Sequence, residues 1–261
     1  MQIYDSHCHL DDKAYKKDIE NVLDRMQEHD VRAAMIAGIN RASVTRAVTL
    51  AERYPGLVVS VGVHPHDAAG CTEADLAALT ATAQHPKVRA WGEIGLDFNR
   101  MFSPRDVQEH RFIQQLELAE HVGLPLIIHE RDSDGRLIEL LRSHCPSGTQ
   151  GVIHCFSGTR SEMDTYLDMG FHIGITGIIT HKQRGTLLRT LVPHIPAQRI
   201  LVETDAPYLT PTPERNKYRR NEPAFVRTVL MKVAEVRGED VVQLAETIWD
   251  NTCGLFGGQP V

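Results

Sequence analysis

The sequence predicts an α/β fold of the (β/α)8 TIM-barrel class, and three observations carry that expectation. Short Val- and Ile-rich runs alternate with amphipathic stretches along the chain. Eight such runs fall within 261 residues, the size of an eight-unit barrel. The first run passes into Asp5-Ser-His-Cys-His9, not into the Gly-rich phosphate turn that usually follows the first strand of a doubly wound open sheet.

The strands are expected at residues 3–9, 33–39, 58–64, 88–96, 126–130, 151–156, 171–179 and 199–205. Most are too short for a buried helix and are bounded by Gly or Pro. Between them the period changes. Ile19, Val22, Leu23 and Met26 recur at i, i+3, i+4 and i+7, one face of a helix. Phe112, Leu116 and Ala119 do the same over 108–122, which stops at Gly123-Leu-Pro125, a helix terminator. Leu137, Leu140 and Leu141 and then Leu187, Leu188 and Leu191 mark further helices, and 222–237 and 240–252 close the chain. A repeated strand–helix unit implies a parallel sheet with its helices outside. No linker or low-complexity segment interrupts it, so residues 1–261 are expected to form a single domain.

Composition excludes several function classes. Lys and Arg total 28 against 34 Asp and Glu, a formal charge of -6, which argues against a broad polycationic nucleic-acid surface. No run reaches the roughly 18 apolar residues of a membrane helix. The start MQIYDSHCHL lacks the basic and apolar regions of a signal peptide. Five scattered cysteines without a CxxC pair read as reduced thiols. These features predict a cytoplasmic protein without membrane contact, and a monomer, since no long exposed apolar stripe is evident.

The 14 histidines carry the functional signal. The first strand ends on His7 and His9, the third on His64 and His66. The fourth carries Glu93 and Asp97, the fifth His129 and Arg131, the sixth His154, and the eighth Glu203 and Asp205. In a parallel barrel the C-terminal strand ends share one mouth, and residues an even number apart on a strand share a face. Four imidazoles (His7, His9, His129, His154) and two carboxylates (Glu93, Asp205) can meet there, too many ligands for one tetrahedral ion. A lone strand-end histidine is commonly a packing or hydrogen-bonding residue. Ligand-type residues at the same end of five strands are a different matter, because buried Asp and Glu are rare unless paired or metal-bound.

Mixed imidazole and carboxylate ligands suit two divalent ions, with Mg, Mn and Zn as candidates. Two ions about 3.5–4 Å apart clamp the attacking and leaving oxygens of a displacement and acidify a bound water. Asp205 is the natural acceptor for that proton. The remaining histidines (His29, His85, His110, His121, His144, His172, His181 and His194) are expected at the surface or in packing. Cys8 and Cys155 have the opposite parity to the ligands and are expected to pack outward.

Asp5-Ser-His-Cys-His9, Gly62-Val-His-Pro-His66, Gly92-Glu-Ile-Gly-Leu-Asp97, His154-Cys-Phe-Ser-Gly158 and Glu203-Thr-Asp-Ala-Pro207 together resemble the TatD family of metal-dependent deoxyribonucleases. The similarity runs on through Tyr208 and Arg220-Asn-Glu-Pro223. The resemblance implies a TIM barrel of the amidohydrolase-like, metallo-dependent hydrolase type that cleaves DNA phosphodiesters, as a 3′-5′ exonuclease acting on single strands or 3′ ends. It implies that His7, His9, Glu93 and Asp205 hold one metal and Glu93, His129 and His154 the other. It also implies phosphate-side roles for His64, Arg131, Ser157 and Tyr208. Asp205 is then the base and Glu203 its support. Glu130 departs from the smaller residue common before Arg131, but its parity points it away from the mouth.

The basic segment Arg215, Lys217, Arg219 and Arg220 follows the eighth-strand ligands and suits contact with phosphates beside the scissile bond. The competing enzyme reading is a small-molecule amidohydrolase, lactonase or other phosphoesterase on the same barrel, because fold does not fix substrate. Many dinuclear amidohydrolases bridge their metals with a carboxylated lysine of strand four, where this chain has Glu93 and no lysine. A non-catalytic metal-binding protein is the third reading, and it has no missing ligand to support it.

Overall fold

A computed structural model of the chain describes residues 1–257. Its eight strands form one sheet in the sequential order β1 to β8, with helices between them, as expected for a (β/α)8 barrel. They are β1 (Ile3–Cys8), β2 (Val31–Ile36), β3 (Leu57–Val61), β4 (Val88–Asp97), β5 (Leu126–Arg131), β6 (Gly151–His154), β7 (His172–Ile175) and β8 (Ile200–Val202). The helices are α1 (Ile19–Glu28), α2 (Arg41–Arg53), α3 (Glu73–Thr82), α4 (Arg105–Val122), α5 (Arg136–His144), α6 (Arg160–Asp168), α7 (Thr186–Leu191), α8 (Val226–Arg237) and α9 (Val241–Leu255). Among the described residues no helix is long and apolar enough to cross a membrane, and all five cysteines are free thiols. Residues 258–261 of the expected 1–261 domain lie outside the described residues.

Chain contacts divide into two units. One comprises Met1–Ile36, Pro55–Leu57 and residues 173–257. Here β1 pairs in parallel with β2 (Ile3↔Val31, Asp5↔Ala34) and β7 with β8 (Ile173↔Ile200, Ile175↔Val202). The end of β1 meets the chain leaving β8. Asp205 N–H donates to His7 O at 2.9 Å and His9 N–H to Ala206 O at 2.7 Å. Tyr4 points outward onto Trp249 and Phe256, with ring centroids 6.0 and 6.3 Å away, which locks α9 to β1. Buried Val226, Val229, Leu230 and Val233 give α8 its inward stripe.

The other unit comprises Ala37–Tyr54 and Val58–His172. Its strands run in parallel through β3–β4 (Val61↔Trp91), β4–β5 (Asp97↔Arg131) and β5–β6 (His129↔His154). The β4–β5 register shifts between Trp91 and Ile94, where two glycines let the backbones close up. A Cβ on Gly92 would lie 2.5 Å from Ile127, and one on Gly95, whose φ is +146°, would lie 1.9 Å from His129 O. Helix α4 does more than cover this sheet. Buried Gln115 accepts from Val63 N–H at 2.7 Å and donates to Val63 O at 3.1 Å. Gln108 likewise accepts from Asp97 N–H at 2.8 Å and donates to Asp97 O at 3.1 Å. Each glutamine satisfies the backbone of a loop leaving a strand end, a job apolar side chains cannot do.

Several boundaries differ from expectation. The seventh strand stops at Ile175 and residues Gly177–Thr180 form a 3-10 turn, which Thr176 caps by accepting from Ile178 N–H. The eighth stops at Val202, although a single parallel bridge between Cys8 and Ala206 follows Asp205, whose backbone is left-handed with φ +57°. The second begins two residues early, where Val31 still pairs with Ile3. Helices α3 and α6 begin with reciprocal caps, Thr72 with Asp75 and Thr159 with Glu162.

Candidate metal centre

In the second unit a buried carboxylate sits among imidazoles. Glu93 Oε1 lies 2.8 Å from His129 Nδ1, 3.5 Å from His64 Nε2 and 3.8 Å from His154 Nε2. His64 and His129 approach each other at 3.3 Å, Nε2 to Nδ1. Glu93 is held by β4, whose Glu93 N–H donates to Gly38 O at 2.8 Å. His129 and His154 stand opposite each other in the β5–β6 register. His64 caps the turn that begins at Pro65, its Nδ1 accepting from His66 N–H at 3.0 Å, so its Nε2 is the atom turned to Glu93. Burial lowers the His64 imidazole to about 4, against the opposing attraction of Glu93, which leaves a neutral nitrogen suited to a metal.

Asp97 fixes the far side of His129. His129 Nε2 faces Asp97 Oδ2 at 3.5 Å, an ion-pair distance, and His66 Nε2 donates to the same oxygen at 2.6 Å. Burial alone would raise the Asp97 carboxyl. The hydrogen bonds from His129, His66 and Arg100 N–H outweigh it and hold the group well below the usual carboxylate range. His129 shows the converse. Burial disfavours its charge, yet Asp97 and Glu93 raise it to about 9. A carboxylate on one ring nitrogen with the other turned to a ligand group is the arrangement that orients metal-binding histidines.

In the first unit His7, His9 and Asp205 gather. His7 Nε2 and His9 Nε2 are 3.3 Å apart, and Asp205 Oδ1 lies 3.3 Å from His9 Nε2 and 3.9 Å from His7 Nε2. Even spacing puts both imidazoles on one face, as parity predicts. Asp5, on the same face, anchors the segment by accepting from Thr204 N–H at 2.8 Å and Thr204 Oγ1 at 2.6 Å. Glu203 is fully buried and its Oε2 accepts from Ser6 Oγ at 3.1 Å. A side chain on Gly174 would strike that carboxylate at 2.6 Å, so the glycine makes room for it.

Both groups combine imidazole nitrogens and carboxylate oxygens at 2.8 to 3.9 Å, close enough for a cation to sit among them. His64, Glu93 and His129 alone offer three ligand atoms within 4.8 Å of one another. The donor chemistry fits a divalent metal of the Mn or Zn type, with Mg favoured only if carboxylate dominates.

The expected phosphate-side residues fall differently. Arg131 is exposed and forms no side-chain hydrogen bond or ion pair among the described residues, with neither Asp132 nor Asp134 taking it up. Ser157 is exposed after β6. Tyr208 is 55% exposed and meets the His9 ring edge-on at 6.0 Å. Arg220 is committed within the chain. It donates to both oxygens of Asp18 (2.8 and 2.7 Å) and to Glu222 (2.8 Å), and stacks on Tyr15 at 4.6 Å. The exposed cations of the basic loop are Arg215, Lys217 and Arg219. Glu130 turns to Ser133, accepting from its N–H and hydroxyl at 3.0 and 2.6 Å. Cys8 packs away from the ligands, donating to Met35 O at 3.3 Å. His181, expected at the surface or in packing, is buried beside Thr210 O at 3.0 Å.

Sequence reasoning gave no role to His66 or the α4 glutamines, and it placed Asp97 beside Glu93 without a function. The signal for Asp97 was present in its place at a strand end four residues after Glu93. The glutamines carry no such signal, because their partners are backbone groups distant in sequence.

Residues 4–257 match the sequence model of the family described as TatD related DNase. A curated relative from Escherichia fergusonii, a 3′-5′ ssDNA/RNA exonuclease TatD, is 40% identical over 258 residues, covering 98% of this chain and 99% of the relative. Among solved structures, a TatD homologue from Escherichia coli K12 superposes with a TM-score of 0.90 at 30% identity, covering 97% of both chains. A TatD family hydrolase from Entamoeba histolytica has the same TM-score at 26% identity, over 98% of both chains.

Proposed function

The chain belongs to the TatD-related DNase family, and from that premise we propose that it is a divalent-metal-dependent 3′-5′ exonuclease acting on single-stranded DNA. The observation that carries the reading is the Glu93 carboxylate set among His64, His129 and His154, in a chain with a 40% identical exonuclease relative along nearly its whole length. The family relationship favours this over an amidohydrolase or lactonase, as does Glu93 standing where those enzymes carry a bridging lysine.

In the first unit His7, His9 and Asp205 would serve as ligands of one ion, and in the second Glu93, His129 and His154 of another, with His64 beside Glu93. When bound, two such ions supply Lewis-acid stabilisation of phosphoryl oxygens and make a nearby water more acidic. The chain's own residues do the rest. Asp205 accepts the proton of the attacking water, its left-handed backbone setting the carboxylate beside His9. Arg131, exposed and without a side-chain partner among the described residues, is available to fork onto non-bridging phosphate oxygens. Glu203 is a positioning residue that fixes Ser6 and with it the strand carrying His7. Tyr208 and Ser157 offer hydroxyls to the strand being cut, and Arg215, Lys217 and Arg219 attract its phosphates while Arg220 anchors their loop. The same reading makes residues 1–261 one monomeric, cytoplasmic domain, consistent with free thiols throughout.

The test is nucleotide release from 5′-labelled and 3′-labelled single strands, DNA and RNA, in Mg, Mn or Zn. Stepwise shortening from the 3′ end, lost in EDTA and in His154→Ala, is expected. Intact oligonucleotides alongside hydrolysed lactones or amides would overturn the reading.

A further inference from the structure

Phe102 is 65% exposed, the most exposed large hydrophobic side chain among the described residues. It does not hang from a loose loop. Asp97 Oδ1 accepts from the N–H groups of Asn99 and Arg100 at 3.0 and 2.8 Å. Ser103 Oγ donates to His66 O and accepts from Ala69 N–H, both at 3.0 Å. Gln108 Nε2 donates to Ser103 O at 2.8 Å. Residues on both sides of Phe102 are therefore tied to buried groups, and its ring stands edge-to-face on His66 with centroids 4.8 Å apart at 86°. His66 in turn bonds Asp97, which faces His129. The aromatic ring is thus three contacts from a candidate metal ligand.

Charge complements it. Arg100, two residues earlier, is exposed, and so is Arg131, whose backbone pairs with Asp97 in the β4–β5 register. Neither guanidinium has a hydrogen-bond or ion-pair partner among the described residues. A fixed, water-exposed aromatic ring flanked by unpaired arginines is the chemistry of single-strand binding, in which bases stack on aromatic side chains and cations follow the backbone. A protein partner offers no reason for the free guanidinium groups to sit beside the chemistry.

We propose that Phe102 is a stacking platform for one nucleobase of the single strand near the scissile linkage, with Arg100 as an added phosphate contact beside Arg131. This rests on the exonuclease reading. It makes Phe102 a determinant of preference for unpaired over paired ends, because a base must leave its duplex to lie on the ring.

Steady-state kinetics on a labelled single strand test it, using wild type, Phe102→Ala and Phe102→Trp, with oligonucleotides carrying one abasic nucleotide at each of the last four 3′ positions. Stacking predicts that Phe102→Ala raises KM by about 5- to 100-fold, more than it lowers kcat, and that Phe102→Trp restores it. One abasic position should raise the wild-type KM comparably and add little in Phe102→Ala. A purely structural role would instead give the Phe102→Ala penalty on every oligonucleotide alike, and that result overturns the proposal, as does an unchanged KM on intact DNA. If wild type cleaves no oligonucleotide, the exonuclease reading falls and the stacking role with it. Cleavage by wild type with no abasic-dependent effect of Phe102 removes the stacking role alone.

Discussion

Asp97 shows how much of the site depends on residues that hold no ligand themselves. Its carboxylate collects His66, His129 and two backbone N–H groups, and so fixes the ring whose Nδ1 approaches Glu93. Asp97→Asn keeps the volume and removes the charge that orients His129. Metal affinity is expected to weaken by about 10- to 100-fold, read by calorimetric titration with Mn, and wild-type affinity in the variant would refute the orienting role. Asp205→Asn separates proton acceptance from metal binding. Single-strand hydrolysis should fall by at least about 100-fold, with most metal binding retained. Near-normal turnover would remove Asp205 as the base.

At the scale of elements, helix α4 and the β4–β5 ladder determine where Glu93, Asp97 and His129 stand. Gln108 satisfies both backbone groups of Asp97 and one of Ser103 from within α4. Gln108→Ala leaves a buried N–H and carbonyl without partners, at about 1–3 kcal/mol for each such group. A lower melting temperature together with reduced metal affinity is expected, whereas a change in neither would show that the helix does not position the loop. A second element tie is α1, which Arg220 reaches through Asp18. The Arg220 hydrogen bonds hold the Asp18 carboxyl below its ordinary value, so the ionised form is favoured in the folded chain. The stability this adds is complete above the unfolded-state pKa of about 4 and fades as pH falls through the lower folded value. Melting temperatures measured from about pH 6 to 3 should therefore fall less steeply for Arg220→Ala than for wild type. Parallel curves would exclude the linkage.

Over the whole molecule the charge of -6 coexists with exposed cations such as Arg100, Arg131, Arg215, Lys217 and Arg219, which have no ion-pair partner among the described residues. Substrate binding through two or three phosphate contacts predicts a log–log salt slope of roughly -1.4 to -2.1 for single strands. Measuring KM between low and moderate salt checks this, and a much steeper dependence would point to a broad cationic surface instead.

The architecture and the candidate ligand residues were legible from local pattern, because hydrophobic period and strand-end parity are properties of neighbouring residues. Eight alternating units, the His7/His9 pair, Glu93, His129, His154 and Asp205 needed no tertiary information. Strand ends were less legible. The turn capped by Thr176 ends the seventh strand, and past Val202 the eighth keeps only an isolated bridge at Ala206, backbone details that apolar runs do not record. Arg220 and Arg131 look alike in sequence, yet one is consumed by Asp18 and Glu222 while the other has no side-chain partner among the described residues. The positions of Gln108 and Gln115, the orientation of His129 by Asp97, and the fixed exposure of Phe102 were decided by the fold alone. Each depends on which distant backbone or side-chain groups burial leaves to be satisfied, and that is settled only when the chain has closed around them.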